Sequence, residues 1–306
     1  MKYNISEILV MKRIAIRSKD SRTAFTLIEI LVVIGIISVL AALTIGAVAR
    51  GRSTAQVKTS EQTLSKIASG LAQQWAAARD QATTTNPPNW TTIVSLAGGD
   101  TRRARVLWVK MNLQREFPQN ITEALHTFSV GTTPVLLPNS SYVTALSPIQ
   151  SVAGTLNANT QSAICIYQAL QIARRGQQFN NDNIGSSGVG RVNVNGIDFP
   201  VFVDAWGNPI GFVRMTSDPS IQAELNEPIY VGKNLHWDAE DREGTLLNTT
   251  WSGSALGKTA QAMIAEPFIN SNFQPYVFSW GLDQTANTSD DILSFRLREM
   301  GQRGSN

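Results

Sequence analysis

The chain has 306 residues, of which 42% are hydrophobic and only 16% charged, so it has the apolar content to build a core. Its formal charge of +3 is confined to one end: Lys2, Lys12, Arg13, Arg17, Lys19 and Arg22 outnumber Glu7 and Asp20 within residues 1–24, and the remainder is slightly acidic. That distribution argues against a nucleic-acid surface. The single cysteine, Cys165, excludes an internal disulfide and reads as a buried small hydrophobe within Ala163-Ile164-Cys165-Ile166-Tyr167.

Residues 30–49 (ILVVIGIISVLAALTIGAVA) carry no charge, and their 20 residues match the thickness of a bilayer core. Basic residues precede the run and a polar region follows it. A single span with its N-terminus in the cytoplasm and the rest of the chain outside is therefore predicted. An ordinary secretory signal has a shorter apolar region that ends in a small-x-small site. Ala47-Val48-Ala49 offers such a site, but this run is longer and opens on an acid, Glu29. A carboxylate in that setting is costly and calls for a partner. We expect none from its own helix.

The segment Phe25-Thr26-Leu27-Ile28-Glu29 resembles the cleavage and methylation signature of type IV pilins and type II secretion pseudopilins. The resemblance runs from Phe25 to Gly46 and includes Ala41-Ala42. It departs at Ala24, where the family commonly has glycine, at Ser38, where glycine is common, and at Gly46, where proline is common. It implies that a prepilin peptidase cuts between Ala24 and Phe25 and methylates the new N-terminus. It also implies that Glu29 pairs with the terminal amine of a neighbouring subunit during assembly. A buried pair of this kind is costly to break and suits the setting of a register. Met11 is an alternative start that would shorten the leader.

After the span, Val57, Leu64, Ile67, Leu71, Trp75 and Ala78 recur at helical spacing, with Lys58, Glu61, Lys66 and Arg79 off that face. Pro87-Pro88 ends the pattern. The predicted organisation is a cleaved basic leader (1–24), a membrane and assembly helix (25–49), an amphipathic continuation (50–85) and a head (86–306) with an insertion at about 90–190. Within the insertion, Val106-Leu107-Trp108-Val109 reads as either strand or helix. Ile121–Phe128 and Ser162–Arg175 read as helices, and 180–190 as loop. Asn195-Gly196 between strand-like runs predicts a type I′ hairpin. The fold class is thus α+β, a long N-terminal helix on an antiparallel sheet.

Two further blocks resemble the major pseudopilin of type II secretion. Asp204-Ala205-Trp206-Gly207-Asn208-Pro209 reads on its own as a turn with an aromatic plug. Residues 278–292 form a polar loop with three carboxylates after a strand-like start. The resemblance implies structural calcium there, held by Asp283 and by Asp290 or Asp291, with carbonyls of Leu282 and Ser289. Oxygen-rich loops suit that ion, although the EF-hand spacing is missing, and a solvated acidic loop is the plainer reading.

No nucleophile elbow, phosphate loop or HExxH motif occurs. Of the two histidines, His126 is isolated, and His236 stands in an acidic turn without a second ligand at metal spacing. The expected function is assembly rather than catalysis. The resemblance implies a homo- or hetero-oligomeric filament in the inner membrane, with prepilin peptidase and the secretion or assembly machinery as partners. A type IV pilus subunit for adhesion or DNA uptake, or a signal-anchored binding module that never polymerises, remain the alternatives.

Overall fold

The computed structural model describes residues 26–130, 132–176, 178–215, 240–247 and 275–297. The chain divides into two units, with the boundary between Arg52 and Ser53. The long first helix, α1 (Leu27–Thr84), belongs to both.

In the first unit the helix is apolar on every side. Leu27, Ile28, Leu31, Ile34, Ile37, Leu40, Leu43, Ile45 and Val48 are all exposed. The segment has the length and composition to cross a membrane, and none of it is buried within the protein. Its two hydroxyl residues satisfy themselves: Ser38 Oγ donates to the Ile34 carbonyl at 2.8 Å and Thr44 Oγ1 to that of Ala41 at 2.9 Å. In hydrocarbon, where water cannot serve, such back-bonding removes a cost.

The second unit is built around the other half of α1. Leu64, Ile67, Leu71, Trp75 and Ala78 are buried in one continuous core, while Lys58, Lys66 and Arg79 are exposed, as the helical spacing predicts. α1 ends at Thr84, just ahead of Pro87 and Pro88. The 90–190 region then forms a helical layer: α2 (Trp90–Leu96), α3 (Thr101–Glu116), α4 (Ile121–Ala124), α5 (Ser140–Leu146), a 3-10 segment (Ser147–Thr155) and α6 (Ala158–Gln171). A short hairpin, β1 (Phe128–Val130) with β2 (Thr133–Leu136), interrupts it.

Val106-Leu107-Trp108-Val109 is thus helical. Asp100 caps α3, its Oδ1 accepting from the N–H of Arg102 at 2.8 Å and of Arg103 at 3.1 Å. Asn120, Asn139 and Asn157 cap α4, α5 and α6 in the same way. The predicted helix at Ile121–Phe128 is shorter than expected, because Phe128 already begins β1. The predicted helix at Ser162–Arg175 starts four residues earlier, at the Asn157 cap, and stops at Gln171.

Asn195 and Gly196 both have positive φ, 51° and 83°, and join β3 (Val189–Val194) to β4 (Ile197–Phe202) in the expected tight hairpin. The class is α+β with antiparallel strands, as expected. Among the described residues there are three small antiparallel ladders: β1-β2, β3-β4, and β5 (Gly211–Val213) with β6 (Tyr276–Ser279) and β7 (Ile292–Leu293). Pro200 lacks an N–H and suits β4 to an edge. The turn at 204–209 then leads the chain away, so that β5 pairs with the C-terminal β6.

Candidate functional site

Two places carry the residues singled out by the sequence. The first is the start of α1. Ala24 and Phe25 lie outside the described residues, while Thr26 and Glu29 lie within them. Contrary to expectation, Glu29 has a partner at its own helix end. Its Oε2 accepts from the Thr26 N–H at 2.8 Å and from Thr26 Oγ1 at 2.9 Å, and the Glu29 N–H donates back to Thr26 Oγ1 at 3.3 Å. This is a capping box, with the threonine just outside the helix and the glutamate three residues on. The Thr-x-x-Glu spacing ahead of an apolar run was the signal that identifies it. Physically, the unpaired N–H groups at a helix start welcome a carboxylate. The helix end thus lowers the cost of an ionised Glu29 at the start of an apolar run.

The second place is the junction of the Asp204–Pro209 turn with the acidic loop after β6. Asp204 is buried at its centre, 2% exposed. Its Oδ1 accepts from the N–H of Trp206 at 2.9 Å and of Asn208 at 2.8 Å, and its Oδ2 from Ser279 Oγ at 2.6 Å. Gly207 supplies the positive φ (87°) that closes the turn. Two further bonds extend outward: Ala205 N donates to Ser60 Oγ of α1 at 3.0 Å, and Asn208 Nδ2 to the Gly281 carbonyl at 2.8 Å. The turn therefore ties α1 to the C-terminal loop, a role that sequence reading did not reach because both partners are distant along the chain.

The loop itself is folded around Thr288. Thr288 Oγ1 lies 2.8 Å from Asp290 Oδ1, 3.2 Å from Asp291 Oδ1 and 3.4 Å from Asp283 Oδ1. The second oxygen of Asp290 accepts from the N–H of Leu282 at 2.8 Å and of Asp283 at 3.3 Å, and that of Asp291 from Asn287 N at 2.7 Å. Gly281 is required beneath it, since its φ is +64° and a Cβ there would collide with the Asp290 carboxylate. The Thr288 hydroxyl holds the Asp290 carboxyl below its ordinary range against the opposing effect of desolvation, with lesser help from the N–H groups of Asp283 and Leu282.

The three predicted carboxylates are therefore brought to one hydroxyl, and Leu282 and Ser289 lie in the same loop. A hydroxyl has one proton to donate, so it cannot satisfy three anionic oxygens. The donor set is all hard oxygen, which fits calcium. Among the described residues, nevertheless, no group of three or more His, Cys, Asp and Glu side chains stands at metal-holding geometry. The carboxylates converge on Thr288 Oγ1 and not on a common ligand position.

The other polar cluster is structural where it is described; His236 lies outside the described residues. Glu240 pairs with Arg79 at 2.8 Å and Glu243 with Arg102 at 3.2 Å. Asp241 accepts from the N–H of Thr245 and of Leu246, each at 2.8 Å. His126 is exposed and sets an edge against Phe128, 4.9 Å between centroids.

Buried cations were not foreseen. Arg214 is fully buried and grips both oxygens of Glu123 at 2.8 Å, while also donating to the Phe117 carbonyl at 2.9 Å. Arg174 donates to Glu116 Oε2 at 2.9 Å and to the Glu116 carbonyl at 3.0 Å, and lies over the Phe117 ring. These pairs lock α3 and α4 to β5 and to the end of α6. Burial alone would raise the Glu123 carboxyl, but the charge and hydrogen bonds of Arg214, with the Gln119 N–H and Gln114, bring it below the usual glutamate value.

The N-terminal helix, long and apolar enough to cross a membrane, opens on a capped glutamate and precedes in the chain a head with its own core. The family described as "Prokaryotic N-terminal methylation motif" matches residues 19–45, which include Ala24, Phe25 and Glu29. That motif marks a type IV pilin-like protein, processed by prepilin peptidase and structural in role, and agrees with a single-pass inner-membrane location. The match ends within the apolar helix, before the head begins. No curated protein and no solved structure matches the chain.

Proposed function

We propose that this chain is a pseudopilin of type II secretion, cut between Ala24 and Phe25, methylated at Phe25 and assembled through its N-terminal helix into a fibre. Head-to-tail contacts that do not close produce such a filament. The observation that carries the reading within the pilin-like class is the bond between the Asp204–Pro209 turn and the acidic loop, Asn208 Nδ2 to the Gly281 carbonyl. It joins the two blocks that resemble the major pseudopilin. Glu29 exchanges its capping partners for the terminal amine of a neighbouring subunit on assembly. Calcium would be held by Asp283 and by Asp291 or Asp290, with carbonyls of Leu282 and Ser289, and would neutralise the carboxylates of this loop.

Intact mass and N-terminal fragmentation of the protein isolated from membranes test the processing. The expected chain starts at N-methylated Phe25; a start at Arg50 would refute the filament reading. Deletion of the gene in its host, followed by an inventory of secreted proteins, separates the branches. Loss of secreted proteins with surface pili intact supports type II secretion, and loss of pili with secretion intact refutes it.

A further inference from the structure

β3 and β4 form a two-stranded ladder, so each strand has one edge turned away from its partner. The register fixes which groups face that way. Pairs in an antiparallel ladder alternate between hydrogen-bonded and non-hydrogen-bonded. The Val203 N–H donates to the Gly188 carbonyl at 3.0 Å, and these two residues continue the β3–β4 register by one step. Gly190, Val192 and Val194 therefore turn their peptide groups toward β4, while Val189, Arg191 and Asn193 turn theirs outward. Pro200 agrees, since it stands opposite Arg191, where the ladder needs no N–H.

The two outer edges differ. On β4 the Phe202 carbonyl accepts from the Ile210 N–H at 2.9 Å, and Pro200 has no N–H to offer. On β3 the outward N–H and C=O groups of Val189, Arg191 and Asn193 have no hydrogen-bond partner among the described residues. The strand also lacks the proline or bulge that commonly keeps an edge from pairing. Such an edge is a template for a further strand.

Its side chains select that strand. Arg191 and Asn193 share an exposed face, and the Asn193 amide donates to Asp198 Oδ1 of β4 at 2.6 Å. A second β3, laid antiparallel and centred on Val192, sets Arg191 of each copy opposite Asn193 of the other. Asp198 then lies one strand further, about 10 Å away between α-carbons and within reach of the arginine. The two-fold operation gives both cations an anion. Centred on Arg191 instead, the pairing opposes like charges directly, which is destabilising.

We propose that β3 docks on β3 of a second copy of this chain, joining two hairpins into a four-stranded antiparallel sheet. The contact closes on a two-fold axis and so differs from the head-to-tail contacts of a fibre. Val192 meets its own counterpart there as a non-hydrogen-bonded pair, with α-carbons about 4.5 Å apart, close enough for a disulfide. The test is non-reducing electrophoresis of full-length Val192→Cys, oxidised with copper phenanthroline in detergent micelles. A disulfide-linked dimer is expected, while Ile197→Cys, on β4, stays monomeric. Adding Arg191→Pro removes an outward N–H and no bond to β4, and is expected to abolish the linkage. Adding Arg191→Glu leaves the backbone intact but sets like charges together, and is expected to slow linkage about tenfold. It serves as the second variant if the proline variant does not fold. No dimer from Val192→Cys, equal linkage of Ile197→Cys, or linkage unchanged in a folded Arg191 variant overturns the proposal.

Discussion

Replacing Asp204 tests whether the turn at 204–209 is held as described. Its carboxylate is buried and accepts three hydrogen bonds, from Trp206 N, Asn208 N and Ser279 Oγ. Hydrogen bonds to a charged group contribute about 1.5–3 kcal/mol each, but the three are coupled and the turn is only half-buried, so Asp204→Ala is expected to cost about 3–5 kcal/mol. Asp204→Asn separates charge from geometry. Its carbonyl oxygen still accepts from the two N–H groups, while its amide must face Ser279 Oγ, which turns from donor to acceptor; about 1–2 kcal/mol is expected. The assay is urea unfolding of the detergent-solubilised chain, followed by tryptophan fluorescence and compared by midpoint at constant slope. A cost below about 1 kcal/mol for alanine, or equal costs for the two variants, would refute the account.

Glu29→Gln keeps an acceptor for the Thr26 cap but removes the charge, so membrane insertion is expected to persist while fibres are lost; fibres of normal length by electron microscopy would sink the ion-pair role. The Glu123 carboxyl is lower in the fold than in the unfolded chain, so its contribution is complete above pH 4.5 and is lost as pH falls through its folded value. Stability should therefore fall with acidification below 4.5, and less steeply in Glu123→Gln, as measured by chemical unfolding at stepped pH. Burial pushes the Cys165 thiol up, so it should stay unmodified by a maleimide in the native protein and react once urea opens the core. Ile67→Ala, at a fully buried position on α1, should cost about 2–5 kcal/mol in the same unfolding assay.

Much of α1 was legible because its signals are local. An uncharged run, a helical period from Val57 to Ala78 and a proline pair each act within a few residues, whereas the Thr26–Glu29 capping box, equally local, was missed. The Asn195-Gly196 turn was legible for the same reason. Val106–Val109 was ambiguous because a short apolar run suits either element, and the Asp100 cap decided it. The α+β class with antiparallel strands was legible, but the division of the strands into small ladders was not, because strand pairing is a long-range choice: β5 and β6 are separated by more than sixty residues, and nothing near either names the other.

By itself, the sequence determined that an apolar helix long enough to cross a membrane comes first, that Glu29 lies at its start, and that a head with its own core follows. Hydrophobic length and helical period are properties of contiguous residues. Only the tertiary structure decided that Arg174 and Arg214 are buried ions, that the Asp204–Pro209 turn joins α1 to the C-terminal loop, and that three carboxylates meet at Thr288. Each depends on residues from distant segments meeting, and burial converts an ordinary surface residue type into a structural or binding one only when its partner arrives.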